Sequence, residues 1–217
     1  HGGLYGRVTC EIRLSPFTLS ECEQFLTANG VRFSRYDIVQ SHMILGGIPY
    51  YLNYFQRGKS LAQIVDEMFF QKGAKLAMEY ERLFSSVFTN PEMMMDIVKV
   101  LAARSKGFTR KELSEKAGYS EGGTLTKALN ALVASDFVIK YIPFGCGKRE
   151  AHYKLTDPFC IFYLRFVDNY DSLPDIFWQQ NVTSQRINVW RGYSFENVCF
   201  SHIDQIKRAL GISGVST

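Results

Sequence analysis

The stretch that decides the fold is Asn90–Thr156, NPEMMMDIVKVLAARSKGFTRKELSEKAGYSEGGTLTKALNALVASDFVIKYIPFGCGKREAHYKLT. Its local signals predict three helices. The first, Pro91–Ser105, follows an asparagine cap and begins with a proline whose fixed φ suits the first turn. The second, Thr109–Gly118, begins with a capping box and ends at a glycine. The third, Thr124–Asp136, carries leucines on one face at helical spacing.

A β-hairpin is predicted after the third helix. Side chains alternate between two faces from Phe137 to Ile142, and Gly145 and Gly147 supply the turn before a second strand. Three short helices followed by a two-stranded hairpin is the order of a winged helix-turn-helix. We therefore expect a mainly α fold that contains this module.

The net charge is concentrated in the same stretch. The chain of 217 residues has a net charge of +4, which alone is too small to identify a partner, but residues 91–156 hold eleven basic and seven acidic residues. Duplex DNA is therefore a candidate partner. The residues predicted to contact it are Arg110, Lys111, Lys127, Asn130, Lys148 and Arg149. The alternative is a module that packs against neighbouring segments or binds a protein.

Cysteine usage and hydropathy bear on the compartment. The five cysteines are scattered and form no CxxC pair, which argues against a disulfide framework and a zinc site and for a reducing environment. No apolar run reaches the length of a membrane span, and no signal peptide is recognisable. We expect a cytoplasmic protein with no metal site and no membrane partner.

The N-terminal region combines one strand with a helical bundle. Val8–Leu14 alternates as a strand does, yet no neighbour for it is apparent before the hairpin. It is expected to pair either with another molecule, in a homo-oligomer, or with a sheet upstream of residue 1, and we favour the second. From Ser15 to Phe88 the pattern predicts four or five helices.

Five segments in order resemble the C-terminal part of archaeal-type ATPases, which belong to the AAA+/STAND group of P-loop NTPases. They are LYGRVTCEIRLSPFTLSE (4–21), GGIPYYL (46–52), the winged-helix stretch, KLTDPFCIFYLRFV (154–167) and GYSFENVCFSHI (192–203). The resemblance implies four parts: the last strand of an ATPase core (1–14), a helical lid (15–89), a winged helix-turn-helix (90–156), and the start of a restriction-endonuclease-like α/β domain (157–217).

The resemblance also implies a nucleotide site shared with an upstream ATPase domain. Gly47 and Pro49 would lie near the base, and Arg7 could reach a phosphate. ATP and Mg²⁺ would be bound by the intact parent protein. This chain has no G-x-x-x-x-G-K-[ST] loop, so we expect it to need no cofactor and to hydrolyse no ATP by itself.

In the nuclease-like segment, a helix is predicted from near Gly192 to Gly211. The resemblance makes Glu196 the helix carboxylate of a nuclease motif, whose partner Asp and Glu-x-Lys do not follow in this chain. A single carboxylate holds Mg²⁺ weakly, so we expect no nuclease activity. Two alternatives to the ATPase interpretation remain: a stand-alone winged-helix DNA-binding regulator, and a truncated PD-(D/E)xK-like nuclease domain.

Overall fold

The computed structural model describes Cys10 and residues 14–147, 150–168 and 174–215. That part of the chain is mainly helical, with one small antiparallel sheet, as the sequence predicts. Arg7, Lys148 and Arg149 lie outside the described residues. So does the predicted strand Val8–Leu14, apart from its residues 10 and 14.

The predicted N-terminal bundle consists of five helices. They are α1 (Leu19–Ala28), α2 (Arg35–Leu45), α3 (Pro49–Leu52), α4 (Leu61–Phe69) and α5 (Glu79–Val87). The capping box predicted at the start of α1 is present, because the Thr18 side chain accepts a hydrogen bond from the Glu21 N–H while the glutamate reaches back to the Thr18 N–H at 2.8 Å.

The described part of the stretch Asn90–Thr156 contains three helices and three strands. They are α6 (Pro91–Ala102), β1 (Phe108–Thr109), α7 (Arg110–Ala117), α8 (Gly123–Ala134), β2 (Val138–Tyr141) and β3 (His152–Leu155). The sheet has the order β1-β3-β2, and both pairings are antiparallel. The two-residue strand β1 was not predicted, since so short a segment has no periodicity to read.

Gly107 explains how the chain enters β1 so close to β3. Its φ is +72°, in the region that favours glycine, and a Cβ at this position would lie 1.9 Å from the carbonyl oxygen of Tyr153. Phe108 then pairs with Tyr153 across the two strands. The glycine therefore permits the close approach that joins the α6–α7 connection to the hairpin.

The described residues after Asp157 are helical and contain no strand, so the α/β character expected of this segment is not observed in them. Its helices are α9 (Pro158–Phe166), α10 (Phe177–Asn181), α11 (Gln185–Ser201) and α12 (Ile203–Ala209). The predicted start near Gly192 was wrong, since α11 begins seven residues earlier, where the Ser184 side chain accepts a hydrogen bond from the Ile187 N–H.

An aromatic core joins the C-terminal helices to the bundle. The ring of Phe162 in α9 lies 4.9 Å from that of Phe69 in α4, and 5.1 and 5.5 Å from those of Trp178 and Trp190. These rings meet at tilted or edge-to-face angles, as buried aromatic pairs prefer. The hydrophobic core is consequently continuous from the N-terminal bundle to α11.

Candidate functional site

Helix α8 presents a polar face to solvent. Its apolar side, which includes Leu125, Leu129 and Leu132, is fully buried. Lys127 and Asn130, three positions apart, are both exposed. The side chains predicted to contact DNA on this helix therefore lie on its free face, one turn from each other.

Helix α7 carries two of the residues predicted to contact DNA, Lys111 and Arg110. Lys111 is exposed. The Arg110 guanidinium instead donates hydrogen bonds to the carbonyl oxygens of Glu121 and Gly122, at 2.8 and 3.2 Å. Arg110 thus holds the connection that precedes α8 through Nη2, whereas its Nε is buried without a hydrogen-bond partner among the described residues.

Arg104, which the sequence analysis did not single out, organises the turn between α6 and α7. Its guanidinium donates to both oxygens of Glu112 at 2.9 Å and to the carbonyl of Gly107 at 2.6 Å, and it lies 3.8 Å above the ring of Phe108. Glu112 completes the capping box of α7. The backbone hydrogen bond from Thr109, assisted by Arg104, lowers the pKa of Glu112 to about 2.

The hairpin also carries exposed side chains. Lys140 in β2 is exposed and its ammonium lies 5.7 Å from the ring of Tyr153. Phe144, in the turn that precedes the predicted contacts Lys148 and Arg149, is fully exposed. The described part of the hairpin therefore carries an exposed cation and an exposed aromatic ring.

Of the predicted nucleotide-site residues, the structure describes Gly47, which is buried, and Pro49, which is half-buried. Gly47 is buried with a φ of +72°, and a Cβ there would lie 2.2 Å from the carbonyl oxygen of Phe17. The Phe17 N–H donates to the Gly47 carbonyl at 2.8 Å. Pro49 is half-buried at the first position of α3. Gly47 thus allows residue 17 to approach the α2–α3 turn.

Glu196, the predicted nuclease-motif carboxylate, forms an ion pair with Lys154 of β3. The Lys154 ammonium donates to Glu196 Oε1 at 2.8 Å. The lysine is 7 % exposed, whereas the side chain of Glu196 is 52 % exposed. The pair joins α11 to the sheet, and it lies at the edge of a cavity.

That cavity has a volume of about 610 Å³ and is bounded by the end of α6, β3, α9 and α11. Leu101, Ile161, Leu164 and Val189 contribute apolar surface. Basic and acidic side chains also line it: Lys99, Arg104, Lys154, Arg165, Asp168 and Glu196. Its size and mixed lining are those of small-molecule sites.

Two polar side chains on this wall lack a hydrogen-bond partner among the described residues. They are Trp190, through Nε1, and Asn197, through Oδ1. Trp190 is only 3 % exposed. Buried donors and acceptors are nearly always paired, so these two atoms are exceptions within α11, and neither is accessible from solvent. Nothing in the local sequence pattern distinguishes Trp190, because its ring is packed against Phe162 and Phe166 of α9 and Trp178 of α10.

Comparisons with protein-family models, with curated proteins and with solved structures find no match to this chain. None of the helices in the described part of the chain combines the length and the hydrophobicity that a membrane span requires.

Proposed function

We propose that residues 90–156 form a winged helix-turn-helix that binds duplex DNA, within the C-terminal region of an archaeal-type ATPase. The observation that carries the DNA-binding part is the exposed polar face of α8, set in a helix-strand-helix-helix-hairpin order with sheet order β1-β3-β2. A helix with its apolar side buried and a polar side free is what insertion into a major groove requires.

The chemistry of the free face fits this role. Lys127 would neutralise a phosphate, and the Asn130 amide has the donor and acceptor that pair with adenine in the major groove. Lys111 on α7 and Lys140 on the hairpin would contact backbone on either side. Since α8 carries a single basic residue, binding would be dominated by phosphates, with weak sequence preference.

The ATPase part of the proposal rests on the resemblance of the five sequence segments. In the parent protein, the helices of residues 15–89 would form the lid over ATP and Mg²⁺ bound by an upstream domain. Gly47 and Pro49 would lie on the nucleotide side of that lid. Nucleotide binding would then move the lid and change the orientation of the winged helix relative to DNA.

Titration of a fluorescent duplex by anisotropy tests the proposal. We expect binding at about 50 mM salt that weakens steeply towards about 200 mM, because phosphate contacts release counterions. Absence of duplex binding at the lower salt concentration would exclude the DNA role and favour protein docking. If the full-length protein binds duplex with an affinity that ATP leaves unchanged, the stand-alone regulator is the better interpretation.

A further inference from the structure

Lys154 is a buried cation whose counter-ion lies mostly in solvent. Its ammonium has three donor hydrogens, and Glu196 Oε1 accepts one of them at 2.8 Å. The ring of Phe200 lies 5.1 Å from the same nitrogen and contributes a weaker cation–π contact. The ammonium therefore keeps hydrogen-bonding capacity at the edge of the cavity, and the glutamate that covers it is on a half-exposed side chain.

The α11 wall of the cavity adds an unmatched donor and acceptor. Trp190 Nε1 and Asn197 Oδ1 have no hydrogen-bond partner within the described chain. Leaving such a group buried and unpaired costs about 1–3 kcal/mol. A ligand in the cavity could offer these atoms a partner only if the surrounding side chains moved, because neither atom is accessible to solvent.

The charge of the lining favours an anion. Arg165 makes no side-chain hydrogen bond or ion pair with another described residue, and Lys99 is only loosely paired with Asp168, at 3.6 Å. Of the four basic side chains that line this space, Arg104 is paired with Glu112 and Lys154 with Glu196, so the positive excess comes from Arg165. The apolar surface of Leu164 and Val189 would accommodate a hydrocarbon or aromatic body next to the charged group.

We propose that this cavity binds a small organic anion with an apolar body, whose acidic group pairs with Lys154 in place of the Glu196 carboxylate. Without a ligand, the Glu196 carboxylate pairs with Lys154. When a ligand binds, its acidic group takes that place and the Glu196 side chain turns outward. The site is separate from the exposed face of α8, so it does not depend on the proposed DNA-binding function.

The probe for the test is anilinonaphthalene sulfonate, an aromatic anion, followed by energy transfer from tryptophan because Trp190 lines the cavity. We expect saturable binding to the unmodified protein. Lys154→Met, which keeps the length of the side chain, should weaken binding about tenfold or more, the effect of losing a charged hydrogen bond. Glu196→Gln should strengthen it, because the amide competes less well for the ammonium. Lys72→Met, on the exposed α4–α5 connection, is the matched control.

The variants Lys154→Met and Glu196→Gln distinguish binding of the probe in the cavity from binding to exposed apolar surface. If both leave the dissociation constant of the probe within about twofold of the unmodified value, the probe binds elsewhere and the proposal is wrong. If Lys154→Met does not fold, Glu196→Gln alone decides: tighter binding supports the site, and unchanged or weaker binding overturns it.

Discussion

The Asp66 carboxylate in α4 accepts a hydrogen bond of 2.7 Å from the backbone N–H of Trp178 in α10, 112 positions further along the chain. The N–H and the side-chain amide of Gln179 donate to its other oxygen at 3.1 and 2.9 Å. Asp66 is fully buried. Burial raises the pKa of its carboxyl, and the hydrogen bonds partly oppose this. One side chain thus fixes the start of α10 on the bundle.

Replacing Asp66 by alanine should destabilise the protein by about 2–4 kcal/mol, since the Trp178 N–H would be left buried without an acceptor. Urea unfolding followed by tryptophan fluorescence measures this. Asp175→Ala, an exposed aspartate close to α10, should change the free energy of unfolding by less than about 0.5 kcal/mol. Equal effects of the two substitutions would contradict the anchoring role of Asp66.

Gly107 and Gly118 form a matched pair for testing the close approach of β1 and β3. Both have a left-handed φ, +72° and +74°, but only Gly107 has backbone within reach of an added Cβ. Gly118→Ala should cost about 1 kcal/mol for the unfavourable φ. Gly107→Ala should cost about 3 kcal/mol or more, because the sheet must also open. Denaturation midpoints that coincide would show that β1 is not held against β3.

His42 of α2 and His202, between α11 and α12, lie close together next to the start of α1. The rings of His42 and His202 are 5.3 Å apart. His202 Nε2 accepts a hydrogen bond from the Leu19 N–H at 3.0 Å, and His42 Nε2 lies 3.2 Å from the Phe17 carbonyl oxygen. Burial, with the neighbouring His202 as a second cause, lowers the pKa of His42 to about 4.

This pair predicts a loss of stability in mild acid. Between pH about 6.5, the usual histidine pKa, and about 4, the unfolded chain binds a proton at His42 that the folded protein does not. The free energy of unfolding should therefore decrease as the pH is lowered from about 6.5 to about 4, and His42 should contribute up to about 3 kcal/mol to this decrease. His42→Gln, which retains a donor near the Phe17 carbonyl, should flatten this dependence, measured as denaturation midpoints against pH. His152→Gln should leave it unchanged; an unaltered slope in the first variant would refute the assignment.

Removal of the exposed lysines should reduce the salt dependence of duplex binding. Each lost phosphate contact lowers the slope of log affinity against log salt by about 0.9. Lys111→Ala and Lys127→Ala should therefore lower it by about 0.9 each, and by about twice that together. Lys72→Ala is the control, as it removes the same charge outside the module. A double variant with the unmodified slope would show that this face does not contact DNA.

Asn130 tests whether α8 reads bases. Asn130→Ala removes no charge, so the salt slope should stay constant. The difference in binding free energy between sites with and without adenine should decrease by about 1–3 kcal/mol, the usual contribution of a bidentate base contact. Competition between duplexes of different sequence measures this. If the substitution weakens all duplexes equally, Asn130 contacts backbone only.

Local sequence alone determined the helices whose ends are capped by residues a few positions away in the sequence. The capping box of Thr109 with Glu112, the Asn90 cap and the stop at Gly118 were all predictable, because each hydrogen bond joins residues a few positions apart. The leucine face of α8 was readable for the same reason, as helical periodicity repeats within one segment.

Tertiary structure alone decided the features that join distant segments. The anchoring of α10 by Asp66 spans 112 positions and the Lys154–Glu196 pair spans 42. Lys154 occupies a strand position that a lysine usually leaves exposed, and it becomes buried because α11 packs over it. Gly192 was predicted to begin α11 but lies inside it, because packing against α2 and α9 outweighs the roughly 1 kcal/mol cost of an interior glycine. Such contacts depend on which surfaces meet, and no local pattern encodes that.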